Sequence, residues 1–215
     1  LTAPIVTDTD GPVQKSQRTP RKSTIRRRAA VLDAALRCFT RQGLSATTIA
    51  DVRKASKTSI GSIYHHFSSK EELATALYLH SLQLYQEGLL AKLVRTRTAE
   101  RRVRAMVEYH LDWVAREPDR ARFLFIAERP QAKSQAAQDL SQLNRSFFDR
   151  LFEPLEAQMH ARALRSLPRD LFLAMVIGPA QSYARAWLEG RKRSPLNRAR
   201  RALADGAWAS VRRGR

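Results

Sequence analysis

The chain has 215 residues, enough for one mid-sized domain or for a small domain joined to a larger one. Hydrophobic residues make up 43% of it, which excludes a chain too polar to build a core, and its single cysteine, Cys38, excludes an internal disulfide and a cysteine-based zinc site. The 39 Lys and Arg against 20 Asp and Glu give a formal charge of +19, a balance that favours polyanionic partners, nucleic acid first among them.

That charge is spread along the chain. Residues 1–72 hold 13 basic and 6 acidic side chains and the remainder holds 26 and 14, so basicity alone locates no nucleic-acid face, and a generally basic soluble protein stays an alternative. No apolar run approaches the ~20 residues of a membrane span. The longest, from Leu171 to Ile177, reads as a buried helix. The first residues, with Asp8 and Asp10, contain no apolar signal core. The expectation is a soluble cytoplasmic protein with no membrane partner.

Residues 1–22, with Pro4, Gly11, Pro12 and Pro20 among Thr, Asp and Gln, read as a disordered arm. Its end turns basic through Arg21 and Lys22, and Arg26, Arg27 and Arg28 continue the run. Such an arm suits a DNA groove or backbone, and it equally suits a solvated tail. A first helix begins near Ser23 or Thr24, places Ile25, Ala29, Leu32, Leu36 and Phe39 on one face, and ends at Gly43 as a left-handed cap. Cys38 borders that face and reads as core. Two short helices follow, from Thr47 or Thr48 to Ala55 and from Ser59 to His66. Ser69 and Glu72 have the spacing of a capping box, opening a long helix to about Val94 with Leu73, Leu77 and Leu84 inward.

The pattern stays helical to the end. Val103, Met106, Val107, His110, Leu111 and Val114 form an amphipathic stripe, and Pro118 breaks it ahead of a short apolar segment from Phe123 to Ala127. Leu140, Leu143, Phe147, Leu151, Leu155 and Met159 mark a long helix that Pro154 is expected to kink. Pro168 opens the next, which should run to Gly190, and a last helix spans Asn197 to about Arg212. No strand-like alternation of useful length appears. The fold expectation is all-α: an arm at 1–22, a three-helix DNA-binding unit at 23–68 and a larger helical domain at 69–215.

Three short helices with a tight turn between the second and third make a helix-turn-helix, whose third helix enters a major groove. That helix is expected to present Ser59, Ser62 and His65 outward and to keep Ile60 and Ile63 nearer the core. Gly61 would let backbone approach phosphate, Tyr64 would offer a ring and a hydroxyl, and Lys70 adds charge to a helix N-terminus.

The run from Thr47 to Val52, followed by Ser59 to Leu73 with its Tyr64-x-x-Phe67-x-x-Lys70-Glu71-x-Leu73 spacing, resembles the TetR family signature. The resemblance covers about residues 24–73. It implies homodimeric binding to a double-stranded operator, released by a small molecule of unknown identity in the larger domain, with DNA contact near Thr48, through Tyr64 and His65, and at Lys70. Thr47, Arg53, Lys57, Thr58, Ser59, Gly61 and Ser62 complete the candidate DNA-contacting set. Lys57 stands where the family usually places the turn glycine, at a cost of about 1 kcal/mol if left-handed. Arg53 stands where a small residue usually packs, and is expected to bend outward.

The adjacent His65 and His66 point about 100° apart on a helix and lack a third ligand, so no metal or other cofactor is expected. Tyr109, His110, Trp113, Phe125, Phe147 and Phe148 are candidates for an effector pocket between helices, with Gln142 as a further polar group, although each aromatic alone also reads as core. The apolar helix from Leu171 and the small-residue stripe of the last helix suggest a dimer interface including Met175, Gly206, Ala207 and Ser210, against the alternative that they cover only their own core. No nucleophile–base pair or phosphate loop is visible, so the chain is not read as an enzyme. Two rivals are a non-specific nucleoid or RNA-binding protein and a helical enzyme whose active residues are scattered in sequence.

Overall fold

The computed structural model describes residues 22–127, 134–191 and 194–214, with side chains from residue 24 onward. Ten α-helices carry them and no strand is found among the described residues, where the one β-type pairing is an isolated bridge between Leu164 and Arg212. The arm at 1–21 lies outside the described residues, Arg21 with it.

Helix α1 (Lys22–Gln42) starts one residue before the expected Ser23 and stops at Gly43, whose φ of +85° only glycine adopts without strain. The Gly43 N–H closes on the Phe39 carbonyl at 3.0 Å. Leu32, Leu36 and Phe39 are buried as their spacing predicts, whereas Ile25 is exposed, because α1 begins beyond the reach of the core it joins. Helices α2 (Ile49–Ser56) and α3 (Ile60–His66) pack on α1 through Val52, Ile63 and Phe67, all at most 1% exposed.

Helix α4 (Lys70–Leu93) contributes to two cores. Leu73 and Leu77 close the one under α1–α3, while Leu89, Leu90 and Leu93 enter a second, larger one. At 100° per residue these sets lie on roughly opposite sides of the helix, so α4 carries no single apolar stripe. This corrects the expectation for Leu84. It shares the side of Leu77 but lies past the end of the first core, and is 40% exposed.

The second core gathers α5 (Ala99–Arg116), α7 (Gln135–His160), α8 (Arg169–Val176), α9 (Gly178–Leu188) and α10 (Leu196–Val211). All six residues of the predicted α5 stripe are buried. Helix α7 continues through Pro154 for another turn and a half, and the Pro154 carbonyl accepts from Arg102. Helix α10 lies along α5 and is tied to it by ion pairs from Arg104 to Asp205 and from Arg200 to Asp112. Between α5 and α7, α6 (Pro118–Ile126) opens on a proline whose missing N–H costs nothing in a first turn.

The single helix expected from Pro168 to Gly190 is two helices. Pro168 sits just outside α8 as its cap, and the chain breaks at Ile177. Gly178 and Pro179 explain the break. Glycine is a poor helix interior residue, and Pro179 cannot donate to a continuing helix but fits the first turn of a new one. No helix among the described residues is long and apolar enough to cross a membrane.

Candidate DNA interface and effector cavity

The α2–α3 turn is shaped by its caps. Thr48 accepts from the Asp51 N–H at 3.2 Å, and the Asp51 carboxylate accepts in return from the Thr48 N–H at 2.9 Å and from the Thr48 hydroxyl, a closed capping box. Those hydrogen bonds hold the Asp51 carboxyl below its ordinary range. Lys57 has φ +55° and ψ +30°, so a lysine occupies the left-handed cap that glycine would fill without strain, at about 1 kcal/mol. Ser59 caps α3 by accepting from the Ser62 N–H at 3.2 Å.

These constraints fix what α3 shows to solvent. Gly61, Tyr64 and His65 are exposed and Ser62 is half-buried. Ile63 is fully buried but Ile60, expected nearer the core, is 50% exposed, because the N-terminus of α3 projects past α1. An apolar side chain there suits a thymine methyl, and the helix period alone, grouping Ile60 with Ile63, gave no way to find it. Thr47 corrects the expectation in the other direction. It is 1% exposed, and its hydroxyl donates to the Gly43 carbonyl at 2.7 Å, so it braces the turn and offers nothing to DNA. Thr58 is half-buried and shares a 2.7 Å hydrogen bond with Ser56.

The cations around this face divide in two. Arg26, Arg27, Arg53 and Lys57 are exposed with no acidic partner among the described residues, Arg53 bending outward as expected. Arg28 instead lays its guanidinium 5.4 Å from the Phe67 ring centre, and Lys70 donates to the Ser45 carbonyl at 3.0 Å. The capping box expected at Ser69 is shifted. Ser69 accepts from the Glu72 N–H at 3.0 Å, but the Glu72 carboxylate reaches one residue further back, to the N–H and hydroxyl of Ser68. His66 lies beside His65, their ring centres 5.2 Å apart, and burial lowers its pKa with help from the neighbouring charges of His65, Arg28 and Arg27.

Inside the larger helical assembly a crevice with two lobes runs between α4, α5, α6, α7 and the α8–α9 break. One lobe, about 340 Å³, is lined by His110, Trp113, Leu124, Phe125 and Arg185. The other, about 540 Å³, is lined by Gln86, Leu89, Met106, Asn144, Phe147 and Phe148. Tyr78, Leu82, Tyr85, Ile177 and Gln181 line both. Five of the six candidate pocket residues thus border this crevice. Tyr109 does not. Its ring meets Tyr85 at 5.6 Å between centres, but its hydroxyl passes over Gly88 into an outer groove, where a Cβ on Gly88 would stand 2.1 Å from the oxygen. Gln142 is exposed and borders a separate hollow on the outside of α7.

Of the polar residues lining the crevice, Gln86 and Asn144 are joined at 2.9 Å and His110 Nδ1 lies 3.1 Å from the Tyr85 hydroxyl, while Gln181 and Arg185 line it from exposed positions on α9. Gln86 was legible in principle, since it interrupts the apolar spacing Leu82, Leu89, Leu93 at a position that should be buried. Burial pushes the Tyr85 phenol up and holds the His110 imidazole down at about 4, so the ring is neutral at physiological pH.

Helices α4 and α6 connect this crevice to the α1–α3 unit. Phe123 is buried beside Phe39, their rings stacked with centres 6.0 Å apart, while the next two residues, Leu124 and Phe125, face the crevice. Arg120 donates to Asp33 of α1 at 2.6 Å and to Ser81 of α4 at 3.4 Å.

Residues 31–77 match the model of bacterial regulatory proteins of the TetR family, and the whole fold superposes on a TetR family transcription regulator from Marinobacter aquaeolei VT8 with a TM-score of 0.76 at 17% identity, over 91% of this chain and 100% of that one. Residues 31–77 thus form a DNA-binding segment of the TetR type. Over 51 residues the chain is 43% identical to the transcriptional repressor KstR2 of Mycobacterium tuberculosis, a match covering 24% of this chain and 26% of the relative, so the likeness in sequence spans about a quarter of that protein. The structure of FadR from Bacillus subtilis in complex with stearoyl-CoA is similar at a TM-score of 0.71 and 16% identity, covering 84% of this chain and 97% of that one. The TetR-type signature thus coincides with the α2–α3 geometry described above, and the crevice lies in the part of the chain where the likeness is one of fold.

Proposed function

We propose that the chain is a homodimeric transcriptional repressor that reads double-stranded operator DNA with α3 and is released by a small apolar effector in the two-lobed crevice. Residues 23–68 would form the DNA-reading unit and 69–215 the sensing and dimerising one, acting in the cytoplasm. One observation carries the reading: a helix-turn-helix with its recognition face exposed is joined to an apolar crevice by two elements, α4 and α6, each with residues in both.

Ile60, Gly61, Ser62, Tyr64 and His65 supply base and sugar contacts in this reading. Thr48, Arg53, Lys57, Lys70 and the Arg26–Arg27 pair supply phosphate contacts, which position the protein without specifying sequence. Arg21 and Lys22 are proposed as further phosphate contacts. A ligand filling the crevice pushes on Leu124 and Phe125. Because Phe123 and Arg120 lie on the same short helix, α6 then moves against Phe39 and Asp33. The spacing of the two recognition helices leaves the half-site distance, a shift of population toward the unbound form. The stearoyl-CoA of FadR supports an apolar, acyl-like occupant for a crevice of this fold.

The dimer surface proposed is narrower than the set read from the sequence. Gly206 is exposed, Met175 and Ser210 are half-buried, and Ala207 is 4% exposed within the chain's own core, so Ala207 cannot serve the interface directly. Leu171, 45% exposed on α8, takes its place in the proposal. Footprinting on the DNA flanking the chain's own gene tests the whole reading. A discrete twofold-symmetric footprint is expected, and sequence-independent coating with a steep salt slope would replace it with a general nucleic-acid-binding role.

A further inference from the structure

Each lobe of the crevice is lined by one residue that carries a buried polar atom with no hydrogen-bond partner among the described residues. His110, on the lobe against α6, leaves Nε2 unpaired, and Gln86, on the lobe against α7, leaves Oε1 unpaired. His110 is 6% exposed and Gln86 is 4% exposed. Buried polar atoms are nearly always paired, so two on residues lining one crevice mark positions that a ligand serves.

Their chemical sense follows from their neighbours. The Tyr85 hydroxyl lies 3.1 Å from His110 Nδ1, and because a phenol O–H is a good donor and a neutral imidazole nitrogen accepts better than a phenol oxygen, we assign Tyr85 as the donor. The imidazole proton is then on Nε2, which makes that atom a donor. Gln86 spends its amide N–H on Asn144 at 2.9 Å, which leaves its carbonyl as an acceptor. The remaining lining of both lobes is mostly apolar, and the one cation on either is Arg185 of α9, exposed and 5.1 Å from the Phe125 ring centre.

We infer that the effector is an elongated, uncharged, mainly apolar molecule carrying a carbonyl-type acceptor for His110 and an N–H or O–H donor for Gln86, as an amide seated between the two residues would. This rests on the crevice being the effector site. A carboxylate is disfavoured in either lobe, because the buried end of the crevice offers it one neutral donor and, at Gln86, a repelling oxygen. An amide meets both demands and an ester meets only one.

The test uses the full chain and three probes of similar size in equilibrium dialysis: N-butyloctanamide, butyl octanoate and dodecanoate. The amide is expected to bind about tenfold more tightly than the ester, and dodecanoate more weakly than either. Gln86→Met should bring the amide and the ester to within about twofold of each other while leaving the ester's own affinity intact. His110→Phe should weaken both. Equal binding of amide and ester to the unaltered chain, or dodecanoate as the tightest probe, would overturn the inference and leave the crevice reading standing. No binding by any of the three, in protein that still binds its operator, would overturn the crevice reading as well.

Discussion

Arg120 of α6 donates to Asp33 of α1 at 2.6 Å, with 12% of the arginine side chain and 48% of the aspartate side chain exposed. One partner is sheltered and the other wet, so the pair sits between a surface ion pair and a buried one. We expect a coupling energy of about 1 kcal/mol from a double-mutant cycle of Asp33→Ala and Arg120→Ala in denaturant unfolding. In the proposed mechanism the same pair carries the movement of α6 to α1. Asp33→Ala should therefore bind operator and ligand but need a higher ligand concentration for release. Release at the original concentration would remove this pair from the path.

The exposed face of α3 sets a second expectation. Tyr64→Ala should cost about 1–3 kcal/mol of operator affinity, the scale of one lost directional contact, with the far-ultraviolet circular dichroism unchanged. Ile60→Ala should cost less and do so at one base position, by losing an apolar contact. Operator affinity equal to that of the unaltered chain in Tyr64→Ala would show that α3 does not enter the groove as proposed.

Gly88 and Tyr109 occupy one space. A Cβ on Gly88 would meet the Tyr109 oxygen at 2.1 Å and the ring carbon that bears it at 3.0 Å. Gly88→Ala should destabilise the fold by about 1–3 kcal/mol despite the better helix propensity of alanine. Tyr109→Phe in the same chain should recover part of the loss and not all of it, read from the unfolding midpoint.

His110 makes stability depend on pH. Its folded pKa of about 4 lies below its ordinary value of 6.5, so between those values the unfolded chain binds the proton and the native one does not. Stability is fully present above pH 6.5, falls as pH drops toward 4, and levels off for this group below that. The loss is on the order of 3 kcal/mol. His110→Phe should flatten that part of the unfolding profile. An unchanged slope would place the loss on other groups.

Gly206 offers a clean test of assembly. It is exposed, and a Cβ there meets no atom within 4 Å, so Gly206→Arg should fold normally and sediment as a monomer. Ala207→Glu should instead unfold the chain, because it would bury a charge without a partner. If Gly206→Arg remains a dimer at micromolar concentration, the interface lies elsewhere.

Much of this was legible in the residues. The α5 stripe and the left-handed Gly43 follow from local chemistry, and each is found where the spacing put it; the helix starts expected at Thr47 or Thr48 and at Ser59 coincide with the observed caps Thr48 and Ser59. What failed were faces decided by distant neighbours. Ile25 and Ile60 have the period of core residues but lie past the edge of the partners that would cover them. Leu84 was misplaced because α4 changes its buried side halfway along. Thr47 is a polar residue drawn inward by one carbonyl three-dimensionally adjacent to it, and Gln86 hides in an apolar spacing. The α8–α9 break was foreseeable from Gly178 and Pro179. It falls where Ile177 borders both lobes, and local rules give way most often at such functional walls.

Because Leu77 and Leu89 belong to one continuous helix, the two cores share a rigid strut, and neither can melt without fraying the other's wall. Heat should therefore take the chain apart in one cooperative transition. A molecule bound in the crevice then raises the melting temperature of the DNA-reading helices it never touches, by an amount fixed only by its concentration and affinity.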